Sequence, residues 1–256
     1  MGKKLLQSIY KLGNPPSDFA VERRGDEKSA FFLQMAGLYH GSMDVWLHAA
    51  GLVAFAWFCG SLPFGYWAGK WKGIDIRKHG SGNIGATNVL RVLGKKVGIP
   101  VFILDMLKGL IPTMLAEWWM NRLHVDVNTA TLVAVCSAAA SVLGHTFTFW
   151  LGGKGGKGVA TSAGALIGLA PLALVIAFGV WLVTFFTSRY VALASIVAAI
   201  SLPIAMAILM TFQQRWNLVL LGFGIVMGVL VVVRHRSNIQ RILLGKENRF
   251  EKKKKA

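Results

Sequence analysis

Long apolar segments separated by polar loops make up this chain from residue 45 to residue 233. Several of them reach or approach the roughly 20 residues that cross a bilayer as a helix. The period-two alternation of a membrane β-barrel is missing. We therefore predict an all-α fold, a polytopic integral membrane protein with seven transmembrane helices. The predicted spans are Trp46–Lys70, Gly98–Met120, Asn128–Trp150, Val159–Ala170, Pro171–Thr187, Tyr190–Thr211 and Trp216–Val233.

The apolar segment 159–187 is counted as two spans because of its length. As one helix it would be about 44 Å long at 1.5 Å per residue, against a hydrocarbon core of about 30 Å. Pro171 has no N–H group with which to continue a helix through this point. We therefore predict a turn at 169–171.

Lysine and arginine are concentrated in the loop 70–97, the loop 151–158 and the tail 234–256. Loops rich in these residues remain on the cytoplasmic side of a membrane. With seven spans, this rule places the N-terminus outside, and the turn 188–189 and the C-terminus in the cytoplasm. The net charge of +17 then indicates anionic lipid and anionic substrates. It does not indicate nucleic acid, because no basic patch interleaved with aromatic residues lies outside the spans.

Three regions follow from this composition. Residues 1–44 are an atypical polar N-terminal extension, residues 45–247 are the membrane domain, and residues 248–256 are a basic cytoplasmic tail. The extension has no long apolar core of a secretory signal, so we predict a tail or a short surface helix.

One feature of the extension conflicts with the charge rule. Arg23, Arg24 and Lys28 would lie outside, although the rule places basic residues inside. Synthesis that begins at Met43, directly before the first span, would remove this conflict. We keep this start site as a hypothesis.

The loop 80–91 contains three glycines and four hydrogen-bonding side chains, those of Ser81, Asn83, Thr87 and Asn88. Glycine permits positive φ angles, and closely spaced glycines let several backbone N–H groups point to one ligand. Such runs of donors before a helix start bind anions, phosphate above all. A simple turn would not need four polar side chains, so we predict a phosphate site at the membrane surface.

Two further polar clusters are predicted on the same face of the membrane. The segment 154–161 combines two lysines with three glycines, but it lacks the spacing of a nucleotide-binding P-loop. The segment 234–247 follows the last span directly. Basic residues at helix ends are often only topology determinants, and for 234–247 alone both interpretations stay open. Together, the three clusters predict a basic pocket for two phosphate-type groups.

Asp105, Lys108 and His145 are polar residues inside predicted spans. Asp105 and Lys108 are three residues apart, so an intrahelical ion pair is one interpretation. Charges inside a membrane more often line a functional cavity, and we favour that role. His145 is equally a satisfied core residue or a site residue. No cysteine or histidine cluster has metal-ligand spacing, so we predict no metal and no cofactor.

In order and spacing, these motifs resemble the bacterial acyl-phosphate:glycerol-3-phosphate acyltransferases, from about Val45 to Glu247. The chain differs from the family pattern at Ile84, where proline is more common, and residues 1–44 have no counterpart. The motifs that carry the resemblance are Gly60-Ser61-Leu62-Pro63-Phe64-Gly65, the loop 80–91, Asp105-Met106-Leu107-Lys108-Gly109, Gly144-His145, Lys154–Thr161, Arg234-His235-Arg236-Ser237-Asn238-Ile239 and Gly245-Lys246-Glu247.

The resemblance implies a seven-span enzyme of the bacterial inner (cytoplasmic) membrane, with its active site facing the cytoplasm. It implies transfer of a fatty acyl group from acyl phosphate to the 1-hydroxyl of glycerol 3-phosphate. The products would be lysophosphatidic acid and inorganic phosphate, in phospholipid biosynthesis. Its partners would be these substrates, membrane lipid and an upstream enzyme that forms acyl phosphate.

Catalysis of this kind consists mainly of positioning two phosphate groups and aligning a hydroxyl with a carbonyl. We assign the loop 80–91 to the acyl phosphate, and Arg91, Lys154, Lys157, His235 and Asn238 to the glycerol phosphate. The predicted catalytic residues are Ser81, Arg91, Lys157 and His235. The predicted substrate-binding residues are Gly82, Asn83, Gly85, Thr87, Asn88, Asp105, Lys108, His145, Lys154, Gly155, Gly156, Gly158, Thr161, Arg234, Asn238 and Glu247.

Alternatives stay open for the base and for the class of protein. The general base is either His235 or the leaving phosphate, and we favour the phosphate, with His235 binding or orienting the substrate. A transporter of a phosphorylated metabolite would share the spans and the basic pocket, but it needs a polar path through the bilayer. A non-catalytic membrane anchor would leave the clustered serine, asparagine and glycine unexplained.

Overall fold

A computed structural model describes the backbone of residues 26–250 and the side chains of residues 43–250, and this part is helical without a β-strand. The helices are α1 (Asp26–Ser61), α2 (Phe64–Trp71), α3 (Ala86–Leu93), α4 (Lys95–Arg122), α5 (Val127–Thr146), α6 (Val159–Leu169), α7 (Pro171–Ser188), α8 (Val191–Phe212), α9 (Leu218–Arg234) and α10 (Arg236–Leu243). Short 3₁₀ turns occur at Ile76–Lys78 and Phe149–Leu151. The predicted all-α class is confirmed.

The chain forms two compact units, residues 1–46 and residues 47–256, and the second contains helices α2 to α10. The tail or short surface helix was predicted for residues 1–44, of which residues 1–25 lie outside the described residues. Residues 26–44 belong to α1. The start site proposed at Met43 stays a prediction.

Several of the described helices are long and apolar enough to cross a membrane. Five segments qualify alone: Met43–Trp71, Lys95–Arg122, Val127–Leu151, Pro171–Ser188 and Val191–Phe212. The first combines the end of α1 with α2, and the third combines α5 with the following 3₁₀ turn. Helices α9 and α10 qualify together, with a bend of 53° between them. Helix α6 is apolar but has only 11 residues, or about 16 Å at 1.5 Å per residue. The count of seven and the orientation of the termini therefore stay predictions.

The turn predicted at 169–171 is confirmed. Helix α6 ends at Leu169, and Pro171 is the first residue of α7. Proline suits that position because its missing N–H group would have no partner there anyway.

The first predicted span contains a break at Leu62 and Pro63 that the apolar pattern did not indicate. Proline offers no N–H group to the preceding turn, so the backbone here is short of helical hydrogen bonds. Lys108 Nζ donates to Leu62 O at 2.7 Å, and Thr148 Oγ1 donates to Ser61 O. These buried side chains supply the hydrogen bonds that water cannot supply inside a bilayer.

Glycines bring α4 and α6 into direct backbone contact. A Cβ atom on Gly109 of α4 would lie 2.0 Å from Thr161 O of α6, and one on Gly164 of α6 would lie 1.9 Å from Met106 O. Small residues let membrane helices approach this closely, because packing rather than the hydrophobic effect holds them together in lipid. The contact fixes the first turn of α6 and therefore the end of the loop before it.

The polar segments meet at one end of the bundle. Lys157 Nζ donates to Asn238 Oδ1, and Phe250 N donates to Arg189 O at 3.1 Å. The loop 80–91 lines the same cavity as Lys157 and Asn238. The segments that the charge pattern placed on one face therefore do share one face.

Candidate active site

A cavity of about 320 Å³ opens at this end of the bundle, among helices α3 to α10. Residues of all three polar clusters line its polar part. They are Ser81, Asn83, Gly85, Thr87, Asn88, Arg91, Lys157, Gly158, His235, Asn238 and Glu247, together with Asp105 and His145. The predicted site residues that do not line it are Gly82, Lys108, Lys154, Gly155, Gly156, Thr161 and Arg234.

Asn88 fixes the shape of the loop 80–91. Its Nδ2 donates to the carbonyl oxygens of Ile76, His79 and Asn83 at 3.3, 3.0 and 2.8 Å. Its Oδ1 accepts from the N–H group of Ser81 at 2.8 Å. Both ends of this buried amide are therefore engaged within the protein. Asn88 organises the loop rather than serving as the ligand donor that the sequence suggested, and it holds Ser81 at the cavity wall.

The start of α3 adds backbone donors to this wall. Asn83 Oδ1 accepts from Gly85 N at 2.8 Å, which closes the turn before the helix. The first N–H groups of a helix have no carbonyl partner within it, and here they belong to Ala86 and Thr87, which line the cavity. Gly82 lies outside the lining and takes a positive φ of 72° in the preceding turn. This wall is suited to an anion.

A chain of hydrogen bonds holds the Lys157 ammonium at the opposite wall. Lys157 Nζ donates to Asn238 Oδ1, and Asn238 Nδ2 donates to Glu247 Oε1 at 2.8 Å. Arg241 Nε donates to Glu247 Oε2, also at 2.8 Å. Asn238 and Glu247 are buried. Because several of these bonds involve charged groups, they are short and strong and give Lys157 a defined position.

Burial lowers the pKa of Lys157 to about 8. Attraction by Glu247 opposes this shift, whereas repulsion by Arg241, Arg234 and Arg91 adds to it. Burial also lowers the pKa of Arg91, but a guanidinium remains charged in proteins. The site is therefore electropositive and partly desolvated, and an anion interacts with it more strongly than it would in water.

Arg234 and two glycines shape the loop that carries Lys157. Arg234 Nη2 donates to Gly155 O at 3.3 Å and to Gly156 O at 3.1 Å. A Cβ atom on Gly156 would lie 2.0 Å from Nε2 of His145. These residues support the loop from behind the cavity. Lys154 is exposed on the same loop, so the geometry does not support its assignment to a substrate.

Asp105, Lys108 and His145 form a buried cluster beside the polar part of the cavity. Lys108 Nζ lies 2.8 Å from Asp105 Oδ1, and His145 Nδ1 lies 3.7 Å from the same oxygen. The intrahelical ion pair is therefore present, while Asp105 and His145 also line the cavity. Lys108 does not line the cavity and instead stabilises the break at Leu62. Thr161 also lies outside the lining, because it is fully buried in the first turn of α6.

The backbone orients the buried ring of His235. Nδ1 lies 2.7 Å from Val231 O. A carbonyl can only accept, so Nδ1 carries the hydrogen of the neutral ring and Nε2 keeps its lone pair. His235 lines the cavity, and its Nε2 can accept from a hydroxyl or, when protonated, donate to a phosphate.

The remainder of the cavity is apolar and runs between α6, α7, α8 and α9. It is lined by Leu166, Leu174, Ala177, Phe178, Trp181, Leu202, Met227 and Val231. A basic head region that continues into an apolar cleft fits an anionic amphiphile. The sequence did not reveal this cleft, because residues that line it have the same apolar character as residues that face lipid. It also missed Arg241, whose charge resembles that of a topology determinant.

Fold and cavity together define an α-helical integral membrane protein with a cavity suited to an anionic amphiphile at one end of its bundle. The family model described as glycerol-3-phosphate acyltransferase matches residues 50–245. The chain is 47% identical over 205 residues to the glycerol-3-phosphate acyltransferase of Desulforamulus reducens, covering 79% of this chain and 96% of that protein. It is 45% identical over 204 residues to the glycerol-3-phosphate acyltransferase of Aquifex aeolicus, covering 80% of this chain and 100% of that protein.

Solved structures agree with this result. Two crystal structures of PlsY (YgiH), an integral membrane glycerol 3-phosphate acyltransferase, cover 80% of this chain and 96% of their own. The glycerol 3-phosphate form has a TM-score of 0.70 at 45% identity, and the lysophosphatidic acid form has 0.68 at 44%. The chain belongs to the glycerol-3-phosphate acyltransferase family and is a membrane acyltransferase, not a transporter or an inert anchor.

Proposed function

We propose that this acyltransferase uses acyl phosphate as its donor and forms lysophosphatidic acid and inorganic phosphate from glycerol 3-phosphate. The observation that carries the proposal is the continuity between the basic, amide-lined head region and the apolar cleft. One cavity can thus hold a phosphate-headed acyl chain and a second phosphate beside it. The related solved structures in glycerol 3-phosphate and lysophosphatidic acid forms support the acceptor and the product.

The loop 80–91 would bind the acyl phosphate through Ser81, Thr87 and the N–H groups at the start of α3. Arg91, Lys157, His235 and Asn238 would bind glycerol 3-phosphate. The arginine fork suits phosphate geometry, whereas lysine acts as a point charge. The acyl chain would lie in the apolar cleft.

In the reaction, the 1-hydroxyl oxygen attacks the acyl carbonyl carbon, and the bond from that carbon to the phosphate oxygen breaks. The leaving phosphate takes the hydroxyl proton, so atoms and charge balance without another reactant. His235 Nε2 orients the hydroxyl, and the cations stabilise the negative charge that develops on the carbonyl and phosphate oxygens. An acyl phosphate is already an activated anhydride, so positioning and electrostatics suffice.

The donor assignment is also supported by a motif that the sequence lacks. Soluble-domain acyltransferases of this pathway use a histidine with an aspartate five residues later. None of the six histidines of this chain has an aspartate at that distance. The missing motif therefore argues against acyl-CoA or acyl carrier protein as the donor.

We further propose that the site faces the cytoplasm of a bacterial inner membrane, with the N-terminus outside. The polar segments on the shared face are those richest in lysine and arginine, which the positive-inside rule places in the cytoplasm. Glycerol 3-phosphate would enter from that side, and an upstream enzyme that forms acyl phosphate would supply the donor.

The donor can be tested with purified full-length protein, palmitoyl phosphate and glycerol 3-phosphate. We expect release of one phosphate for each lysophosphatidic acid formed, measured by a phosphate assay and by mass spectrometry. Palmitoyl-CoA in place of palmitoyl phosphate should give no product. Turnover with palmitoyl-CoA and none with palmitoyl phosphate would refute the proposed donor.

The activity should also fall as pH rises through the pKa of Lys157. This pKa is lowered to about 8, so the ammonium is charged below pH 8 and loses its charge above it. We therefore expect kcat/KM for glycerol 3-phosphate to decline above about pH 8, and Lys157→Arg to remove the decline because arginine stays charged. If kcat/KM of Lys157→Arg declined at the same pH as that of the wild type, the decline would be due to another group.

A further inference from the structure

The segment that follows α10 returns across the active site. Gly245 turns the chain with a positive φ of 66°, and Glu247 and Asn248 then line the cavity. Beyond them, Arg249 Nε donates to Ser188 O at 3.2 Å and Phe250 N donates to Arg189 O at 3.1 Å. We call residues 246–250 the C-terminal strap. It is attached to α10 at one end and to the turn between α7 and α8 at the other.

Phe250, the last described residue of the strap, lies between an active-site cation and a bundle helix. The centre of its ring is 5.6 Å from Cζ of Arg91, within the range of a cation–π contact. On another side it meets Phe185 of α7 edge to face, with ring centres 5.8 Å apart and planes inclined at 73°. Phe250 lies beyond the region 50–245 matched by the family model.

Arg91 needs such a contact. Among the described residues, we find no hydrogen bond or ion pair that holds its guanidinium, whereas Lys157 is fixed by Asn238. A long arginine side chain without a hydrogen-bond partner samples many rotamers, and fixing it costs binding energy. An aromatic face beneath the guanidinium restricts these rotamers and leaves the N–H groups at its edge free for a phosphate.

We propose that Phe250 is a positioning residue that holds Arg91 in place for the phosphate of glycerol 3-phosphate. Through the same strap it keeps Glu247 beside Asn238, so it supports both cations of the site. This inference rests on the proposed function, in which Arg91 binds the phosphate of the acceptor. It predicts an effect on acceptor binding rather than on the chemical step.

The test compares Phe250→Leu and Phe250→Trp in the full-length protein. Leucine keeps apolar volume but removes the aromatic face, so we expect KM and Kd for glycerol 3-phosphate to rise about 3- to 10-fold. Tryptophan keeps the face and should restore both constants to within twofold of the wild type, by the same cation–π argument. In both variants kcat should stay within about twofold. Phe212→Leu is the matched control, because Phe212 is 83% exposed at the end of α8.

The two constants separate this inference from the proposed function. The Kd for glycerol 3-phosphate, measured by titration calorimetry, tests Phe250 even if palmitoyl phosphate proves to be the wrong donor. An unchanged Kd and KM in Phe250→Leu would overturn the inference. So would an equal loss in Phe250→Leu and Phe250→Trp, or a loss confined to kcat.

Discussion

Replacing Lys157 by methionine should lower kcat/KM for glycerol 3-phosphate about a thousandfold, the upper range for loss of one preorganised group that stabilises developing charge. Methionine has nearly the same length and no charge. The ammonium is half-buried and bonded to Asn238, so water cannot readily take its place. The loss also leaves Asn238 Oδ1 without its cationic partner. Steady-state kinetics with palmitoyl phosphate at pH 7 measure the effect.

Lys154→Met supplies the matched comparison. Lys154 is also a lysine and lies three positions earlier on the same loop, but it is exposed and does not line the cavity. An exposed charge of this kind contributes little, so we expect a decrease of less than about threefold. Equal losses in the two variants would show that overall loop charge, not the position of Lys157, governs activity.

Replacing Gly109 or Gly164 by alanine should destabilise the bundle by about 3 kcal/mol, within the range for overpacking a close contact. The added methyl group would meet a backbone carbonyl oxygen at 2.0 or 1.9 Å, and backbone cannot move aside as a flexible side chain can. The helices α4 and α6 would have to separate. Because α6 carries the end of the Lys157 loop, activity should fall together with stability.

Thermal unfolding in detergent measures this loss, and we expect the apparent Tm to drop by about 10 °C in either variant. Gly179→Ala is the control, since no atom lies within 4 Å of a Cβ atom added there. Alanine also has the higher helix propensity, so this variant should keep or slightly raise Tm. A wild-type Tm in Gly109→Ala would contradict the close packing of α4 on α6.

The polar loops were the part of the site that could be predicted from the sequence. Clusters of glycine and polar side chains stand out between apolar spans, and Ser81, Arg91, Lys157 and His235 do line one cavity. The turn before Pro171 was predictable for a similar reason, because proline restricts the backbone in a known way. The catalytic and binding roles of these side chains stay predictions.

Other features depended on contacts that sequence does not encode locally. Asn88 could equally donate to a ligand or to its own loop, and only the positions of three carbonyl groups distinguish these roles. Lys154 and Lys157 differ only in the direction in which one loop turns. The break at Pro63 was hidden within a long apolar segment, because the residues that bond the free carbonyl groups there come from distant parts of the chain. Lys108 lies in α4, and Thr148 lies just after α5.

Glu247 leaves the ribosome 90 residues after Lys157, or about 5 to 20 seconds later at typical rates of synthesis. Until then Lys157 has been made, but Asn238 and Glu247 have not arrived to hold it. The chain thus acquires its complete set of binding groups only after its last apolar helix has been made. We therefore expect a nascent chain in the membrane to be inactive through most of its insertion.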